Sequence, residues 1–233
     1  MGKRTDSILS LVLTLAALVV AGAVARRELS LGRSKDQARS EWHKDWQRIS
    51  DVGRPLTGKS LPSAAGRGAV TLTIFSDAQC PYCRSFHAIA RSELERFDGR
   101  LSVRCIHFPL ASHPYALGAA QALECAFDQE ALDGLIDSLF AQQDRIGEKP
   151  WTAFAAEAGV ADAGAFTECL KRRTFAAIDS GLRIGRDIGV TGTPTVLLNG
   201  WKFGSPPAES TLTRAIQSVL GGHQPFKGFR LGE

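Results

Sequence analysis

The sequence predicts an α/β domain that carries a large helical insertion and follows an apolar N-terminal segment. An apolar, β-branched run at 70–76 leads directly into a helical pattern, and a second strand pattern follows at 101–108. A strand–turn–strand–helix order closes the domain at 194–220, and amphipathic segments lie between the second and third strands. With 233 residues, 44% of them hydrophobic, the chain is long enough to bury a full core.

Hydrophobic spacing and turn residues place each element in chain order. The predicted strands are 70–76, 101–108, 194–199 and 201–204, and the flanking helices are 81–97 and 207–220. The helical stretch between them, from 114 to 188, divides into segments at 114–127, 130–142, 151–158, 163–171 and 175–188. Asp98-Gly99 and Asn199-Gly200 mark turns.

Two cysteines, Cys80 and Cys83, stand where the first strand pattern passes into the helix pattern. Free N–H groups and the positive end of the helix dipole favour a thiolate at the first cysteine, which is expected to face solvent. Such placement lowers a cysteine pKa from about 8.5 to roughly 3.5–7.5. Pro81 suits the first helical turn, where its missing N–H has no helical partner. The pattern predicts a dithiol redox centre with Cys80 as its nucleophile.

A metal site is the alternative for this cysteine pair. Structural zinc usually takes four ligands, commonly with a second closely spaced cysteine or histidine pair. The nearby candidates are Cys105, His107 and His87. Because a strand followed at once by a helix is the setting of a redox pair, redox chemistry is favoured and no metal site is predicted.

A second motif lies at 189–200, where the Thr193-Pro194 bond enters a β-branched run. Cis peptide bonds are almost confined to proline, so a cis bond is possible at this position. Taken alone, the motif favours an ordinary trans proline at the start of an edge strand.

Together, the two motifs resemble the thioredoxin fold, and more closely its DsbA-like thiol–disulfide oxidoreductases. The resemblance covers about residues 66–222 and rests on Phe-Ser-Asp-Ala-Gln-Cys-Pro-Tyr-Cys at 75–83, His-Phe-Pro-Leu at 107–110 and Gly-Val-Thr-Gly-Thr-Pro-Thr at 189–195. It implies that the helical segments at about 113–188 are the insertion that DsbA-like members add to the thioredoxin core.

The resemblance also implies roles for individual residues. Cys80 attacks a substrate sulfur, and Cys83 resolves the mixed disulfide. Pro81 and Tyr82 tune the reduction potential. Thr193 and a cis-Pro194 pack beside the pair, offer backbone groups to an extended substrate strand and keep metals away from the thiolates. No organic cofactor is expected, because the cysteine pair itself carries two electrons.

One position departs from the resemblance. Thioredoxin and the best-known DsbA proteins carry a buried acid six residues before the first cysteine, and here that position is Ile74. A proton-relay role then falls to Asp77 or to water. Aspartate is also favoured in turns, so a purely structural role for Asp77 stays open.

Cys125 and Cys169 lie in different helices of the predicted insertion, each among apolar neighbours. In an oxidising compartment two such helices can be joined, and similar cysteines occur in some actinobacterial-type DsbA relatives, so we expect a Cys125–Cys169 disulfide. The alternative is two reduced, buried thiols that lie too far apart to join. Cys105 is expected to be an inert core thiol.

The first 25 residues predict a segment that leads the chain out of the cytoplasm. Lys3 and Arg4 precede an uncharged apolar run at 8–25, which is just long enough to span a bilayer. The Ala-Val-Ala at 23–25 also has the small-x-small form of a signal-peptidase site. We expect an uncleaved anchor, with a cleaved signal peptide as the alternative. Either places the domain in the periplasm or at the outer face of the cell membrane.

Residues 26–65 predict a juxtamembrane helix and a linker. A capping-box pattern at 34–37 precedes a stripe of apolar residues, Ala38, Trp42, Trp46 and Ile49, and Gly, Ser and Pro are frequent over 53–68. The net charge of +4 is concentrated here, because residues 26–59 hold nine basic against five acidic side chains. The following domain is near neutral, which argues against nucleic-acid binding. Residues 223–233 are assigned to a C-terminal tail.

Two classes of function follow from these observations. The first is an extracytoplasmic enzyme that exchanges disulfides with secreted or envelope proteins. We expect an oxidase with a membrane partner of the DsbB or vitamin-K-epoxide-reductase kind; the alternative is a reductase or isomerase with a DsbD-like electron donor. The second class is a non-catalytic module, either a metallochaperone or a substrate-binding thioredoxin-like protein.

Overall fold

The computed structural model describes residues 19–23, 40–57 and 70–225. The chain separates into two units, 1–41 and 42–233. In the first unit, residues 19–23 are helical. The rest of the predicted anchor or signal segment, and the predicted capping box at 34–37, lie outside the described residues. Within the described ranges, no helix combines the length and the apolar character needed to cross a bilayer.

The described residues contain a six-stranded mixed sheet, and five of its strands lie wholly in the second unit. Its strands are β1 (Ser40–Trp42), β2 (Arg54–Leu56), β3 (Val70–Ser76), β4 (Leu101–His107), β5 (Thr195–Leu198) and β6 (Trp201–Phe203). They take the order β1-β6-β5-β3-β4-β2, and Trp42, the last residue of β1, belongs to this unit. The central strand β3 is parallel to β4 and antiparallel to β5.

The helices follow the predicted pattern from residue 81 onward to within two residues at each end. They are α1 (Trp46–Asp51), α2 (Pro81–Arg96), α3 (Ala116–Phe127), α4 (Leu132–Ala141), α5 (Trp151–Glu157), α6 (Ala163–Leu170), α7 (Ala176–Asp187) and α8 (Glu209–Leu220). Helices α3 to α7 lie between β4 and β5 in the chain, which is the position of the predicted insertion. The predicted α/β class with a helical insertion is therefore confirmed.

The sheet is buried on both faces because apolar side chains of β3 and β4 point to both sides. On one face, Leu72 and Ile74 belong to the same buried cluster as residues of α2 and α8. On the other face, Phe75 and Ile106 pack with residues at the end of α7. Helix α7 lies so close to the sheet that a Cβ atom at Gly181 would be 2.5 Å from the backbone oxygen of His107.

Three connections of the chain meet at one edge of this sheet. Ser76 at the end of β3 pairs with His107 at the end of β4, and Phe75 pairs with Thr195 at the start of β5. The register therefore places residues 77–80, 108–115 and 189–194 side by side. All the predicted active-site residues lie in these connections or in the first turn of α2.

Two local predictions before residue 70 are wrong. The helix expected to run through Trp42 and Trp46 is interrupted, since Trp42 ends β1 and α1 begins only at Trp46. Part of the expected linker is β2, which pairs antiparallel with β4. Burial of Leu56 and backbone pairing with the sheet edge stabilise this strand, and neither is visible in local hydrophobic spacing.

The insertion contains the expected disulfide bond between Cys125 of α3 and Cys169 of α6, whose Cα atoms are 5.7 Å apart. The two residues are 44 positions apart in the sequence, so the bond restricts the unfolded chain and stabilises the native one. Cys105, in β4, is a buried free thiol, and burial raises its pKa to about 12. It is chemically inert near neutral pH, as expected for a core thiol.

Candidate active site

The cysteine pair begins helix α2 directly after β3. Cys80 is the N-cap residue and has an extended backbone, and its N–H donates to the backbone oxygen of Asp77 at 3.1 Å. Pro81 is the first helical residue, where an N–H group would have no helical partner. The backbone N–H groups of Tyr82 and Cys83 remain free of the helix ladder and donate toward the Cys80 sulfur.

These donors make Cys80 an acidic thiol. Its pKa falls from the ordinary 9.0 to about 5, chiefly because the Cys83 thiol donates a hydrogen bond to the Cys80 sulfur. Burial acts in the opposite direction, and the Thr193 side chain and the backbone N–H groups of Cys83 and Tyr82 add to the lowering of the pKa. Cys80 is therefore predominantly a thiolate at neutral pH.

Cys83 has the opposite character. Burial is the largest cause that raises its pKa, and the neighbouring Cys80 sulfur raises it further. The backbone N–H of Asp77 donates to the Cys83 sulfur at 3.4 Å, which lowers the pKa but does not offset the burial. Cys83 therefore keeps its proton while Cys80 is ionised, and its thiol donates to the Cys80 sulfur.

The expected exposure of the first cysteine is wrong. Only 3% of the Cys80 surface is exposed, because its sulfur faces the loop before β5 and lies 3.3 Å from the backbone oxygen of Thr193. Tyr82, by contrast, is 73% exposed on the first helical turn. Its backbone N–H, rather than its side chain, contributes to the thiolate site.

The loop that covers Cys80 contains a cis peptide bond between Thr193 and Pro194. The hydroxyl of Thr195 donates to the backbone oxygen of Gly192 at 2.8 Å and closes this loop onto the start of β5. Within the described part of the chain, the buried Thr193 Oγ1 has no partner at hydrogen-bond distance, but it is near enough to lower the pKa of both cysteines. Thr193 thus faces the redox pair with its backbone oxygen and with its hydroxyl.

Asp77 has a structural role in the turn before Cys80. Its buried carboxylate accepts the backbone N–H of Gln79 at 2.8 Å and that of Leu110 at 3.0 Å. Its Oδ2 atom also lies 2.7 Å from Nδ1 of His113. These contacts tie the turn to the connection after β4. The position six residues before Cys80, Ile74, belongs to the apolar core.

A small cavity of about 10 Å³ lies behind this turn and is lined in part by Asp77, Cys105 and His107. Nε2 of His107 lies 2.9 Å from Oε1 of Glu124, and Glu124 is also paired with Arg54 of β2. Burial opposes ionisation of Glu124, but the hydrogen bonds from Arg54 and His107 lower its pKa to about 2. A buried, charged network therefore lies beside the cavity and connects β2, α3 and β4.

His107 and His87, the candidate histidine ligands of a metal site, both contact carboxylates. His107 contacts Glu124, and Nε2 of His87 lies 2.6 Å from Oδ1 of Asp137. Across residues 19–23, 40–57 and 70–225, no three His, Cys, Asp or Glu side chains are grouped so as to hold a metal ion.

A family model described as thioredoxin matches residues 65–218, which is more than half of the chain. The chain belongs to the thioredoxin family. Pseudomonas aeruginosa DsbA2 has a similar structure, with a TM-score of 0.54, 23% identity, and coverage of 69% of this chain and 97% of DsbA2. A periplasmic thioredoxin-like protein from Salmonella enterica serovar Typhimurium has a TM-score of 0.59 and 16% identity, and the alignment covers 78% of this chain and 99% of that protein. The DsbA-like thioredoxin fold is confirmed.

A curated relative of this thioredoxin-family chain is the Na⁺/H⁺ antiporter NhaA 3 of Salinispora tropica, which is 32% identical over 173 residues. The match covers 67% of this chain but 25% of the antiporter. The chain thus spans about a quarter of the length of this relative. Ion exchange is named for the whole antiporter and is not carried over.

The structure adds a residue of the insertion that sequence reasoning missed in this thioredoxin-family site. Gln143 follows α4 and donates to the backbone oxygens of Ala78 and Cys80. Gln79 contacts the connection after β4, since its Oε1 accepts the backbone N–H of Tyr115 at 2.8 Å. No sequence signal marks either contact, because both join segments that are far apart in the chain.

The low Cys80 pKa predicts the pH dependence of its reactivity. We expect the alkylation rate of reduced protein by iodoacetamide to rise with pH and to reach half its plateau near pH 5, the pKa of Cys80. Because this pKa is below the unfolded value, the thiolate stabilises the reduced fold most above about pH 9. That stabilisation declines as the pH falls and is absent below about 5. A midpoint of the alkylation rate above pH 8 would contradict the lowered pKa of Cys80.

Proposed function

We propose that this thioredoxin-family chain is a thiol–disulfide oxidoreductase that acts on extracytoplasmic proteins. The observation that carries the proposal is the asymmetry of the cysteine pair. The pKa of Cys80 is lowered to about 5, and that of Cys83 is raised, next to the loop that contains Thr193 and Pro194. Disulfide exchange requires a thiolate as the attacking group, and a thiol with a lowered pKa supplies it at neutral pH.

The reaction starts from a disulfide between Cys80 and Cys83. A substrate thiolate attacks the Cys80 sulfur, the bond between the two cysteines breaks, and Cys83 leaves and takes up a proton. A second substrate thiolate then attacks the substrate sulfur of the mixed disulfide, and Cys80 leaves as a thiolate. Two substrate thiols are oxidised to one disulfide, and the cysteine pair receives their two electrons. In the reverse direction the reduced pair opens a substrate disulfide.

The Cys80 pKa favours the oxidase direction. A stable thiolate stabilises the reduced pair, so its disulfide is a stronger oxidant. The value of about 5 lies between those typical of thioredoxin, about 7, and of DsbA, about 3.5. We propose a membrane partner of the DsbB or vitamin-K-epoxide-reductase kind to remove the electrons. A reductase or isomerase would instead need a DsbD-like donor.

The surface around the redox turn suits protein substrates. Tyr82 is 73% exposed, and Tyr115 and Leu117, at the start of α3, are 43% and 51% exposed. The backbone N–H of Tyr115 is bonded to Gln79, which places these apolar side chains near the cysteine pair. Such a surface is suited to bind apolar segments of unfolded or partly folded substrate proteins.

We propose an extracytoplasmic location, reached by an anchor or signal segment at 1–25. The Cys125–Cys169 disulfide supports an oxidising compartment, because such bonds persist mainly outside the cytosol. The division into residues 26–65, the domain at 66–222 and a tail at 223–233 stays a prediction.

The proposal is tested with a Cys83→Ala variant of the full chain, reduced and mixed with a disulfide-containing peptide. Without the resolving thiol, we expect a mixed disulfide with Cys80 to accumulate to about one per chain, because the Cys80 sulfur still attacks the peptide disulfide and no Cys83 thiol displaces the bound peptide. Non-reducing mass spectrometry measures the adduct and its position.

Cys105→Ala is the matched control and should accumulate no adduct, since it keeps both active cysteines. Measuring zinc and copper in the purified protein tests the metal-binding alternative. Stoichiometric metal together with an unreactive pair would overturn the proposal. The reduction potential of the pair tests the direction, and we expect a value toward the oxidising end of the known range, about −120 mV.

A further inference from the structure

Gln143 holds the turn that carries the nucleophile. It is the first residue of a short 3₁₀ turn, Gln143–Arg145, that follows α4 in the insertion. Its Nε2 atom donates to the backbone oxygen of Ala78 at 2.8 Å and to that of Cys80 at 2.9 Å. A side-chain amide has two N–H donors, and both are used on the two carbonyls that flank Gln79.

The Cys80 carbonyl is the first acceptor of α2, and the Ala78 carbonyl lies in the turn before it. The backbone oxygen of Cys80 also accepts the N–H of Arg84 at 3.2 Å, which is the first hydrogen bond of the helix. The Cys80 N–H donates to Asp77, so the turn is closed from within as well. By fixing the carbonyls on either side of Gln79, Gln143 fixes the position of the N-cap residue relative to the free N–H groups of Tyr82 and Cys83.

The polarity of these bonds also favours the Cys80 thiolate. Carbonyl oxygens carry partial negative charge, and the backbone oxygens of Ala78 and Cys80 lie in the turn that carries the Cys80 thiolate. The amide hydrogens of Gln143 compensate this charge and bring the positive end of a side-chain dipole to the turn. Loss of the donors leaves both oxygens without that compensation.

We infer that Gln143 is a positioning residue for the redox reaction, through which the helical insertion raises the acidity of Cys80. The inference rests on the proposed function, since it concerns the reactivity of the same sulfur. Gln143 acts through the backbone of the turn, whereas Tyr82, Cys83 and Thr193 act on the sulfur directly.

The test compares Gln143→Met with the wild-type full chain. Methionine keeps the length of the side chain and removes both N–H donors. We expect the Cys80 pKa to rise by about one unit, measured from thiolate absorbance at 240 nm. The equilibrium constant with glutathione should shift about tenfold toward the oxidised pair, because the reduced form loses thiolate stabilisation.

Two further variants sharpen the comparison. Gln143→Glu presents carboxylate oxygens to the same carbonyls and should raise the Cys80 pKa further than methionine does. Gln142→Met is the matched control, because the adjacent Gln142 contacts Ser138, Lys149 and Glu157 within the insertion. Its Cys80 pKa and equilibrium constant should equal those of the wild type.

An unchanged pKa and equilibrium constant in Gln143→Met would overturn the inference, even if the melting temperature fell, because a purely structural contact moves stability alone. Failure of the proposed function is distinguishable: the wild-type protein itself would then show no disulfide exchange and the Cys83→Ala variant no adduct.

Discussion

Replacing Cys80 with serine is expected to reduce thiol–disulfide exchange to the uncatalysed background, a loss of about a thousandfold or more. Serine keeps the shape of the side chain, but its hydroxyl does not ionise near neutral pH and forms no disulfide. Cys83 does not substitute for it, because burial raises its pKa and keeps it protonated, and the hydrogen bond from the N–H of Asp77 does not offset the burial. The measurement is the rate of insulin reduction by dithiothreitol and of oxidation of a reduced dithiol peptide.

Cys105→Ala is the control for this experiment as well. Its thiol is buried in β4, and its pKa is raised to about 12, so its removal should leave both rates unchanged. Turnover by Cys80→Ser at more than a tenth of the wild-type rate would show that another group carries the reaction.

The second large effect is expected for Arg54→Met, which should lower the free energy of unfolding by about 3–5 kcal/mol. Glu124 is 7% exposed and is bonded to Nε of Arg54 at 2.8 Å and to its terminal nitrogen at 2.5 Å. Removing the guanidinium leaves a buried carboxylate with His107 as its remaining partner. Urea unfolding followed by circular dichroism measures the loss.

The lowered pKa of Glu124 determines the pH at which the free energies of unfolding should be compared. The Glu124 pKa is about 2 in the folded protein, below its ordinary 4.5, so its ionised form stabilises the fold fully above about pH 4.5. That contribution is lost as the pH falls through about 2, and unfolding is therefore compared at pH 7.

Two controls bracket the Arg54 result. Lys171→Met breaks an exposed ion pair with Glu168 and should cost less than about 1 kcal/mol. Adding Glu124→Gln to Arg54→Met removes the unpaired charge and should recover part of the loss. A loss no larger for Arg54→Met than for Lys171→Met would show that the buried pair contributes little.

Much of the fold from residue 70 onward is predictable from local patterns. Strand β3 is a continuous apolar and β-branched run, and the helices of the insertion show helical spacing between clear turn residues. Strand β2 is not predictable in this way. Arg54-Pro55-Leu56 is three residues long, contains proline and becomes a strand only because the edge of β4 is available to pair with it.

In the candidate active site, too, residues beside local sequence signals are predictable and residues that act through distant contacts are not. Cys80, Cys83 and the Thr193–Pro194 bond are adjacent to recognisable local signals, and the sequence identifies them. Gln143 and Glu124 are not identifiable, because a glutamine after a helix and a glutamate within one read as solvent-exposed residues. Their roles arise from neighbours more than 60 positions away in the chain.

The pairing of β2 with β4 has a practical consequence for dissecting the chain. The family match begins at residue 65, but a fragment trimmed to that boundary would lack β2 and the guanidinium that neutralises Glu124. It would also expose the outer edge of β4, a row of backbone donors and acceptors open to pairing between molecules. A fragment for expression should therefore begin before β2, so that the pairing of β2 with β4 and the Arg54–Glu124 ion pair are kept.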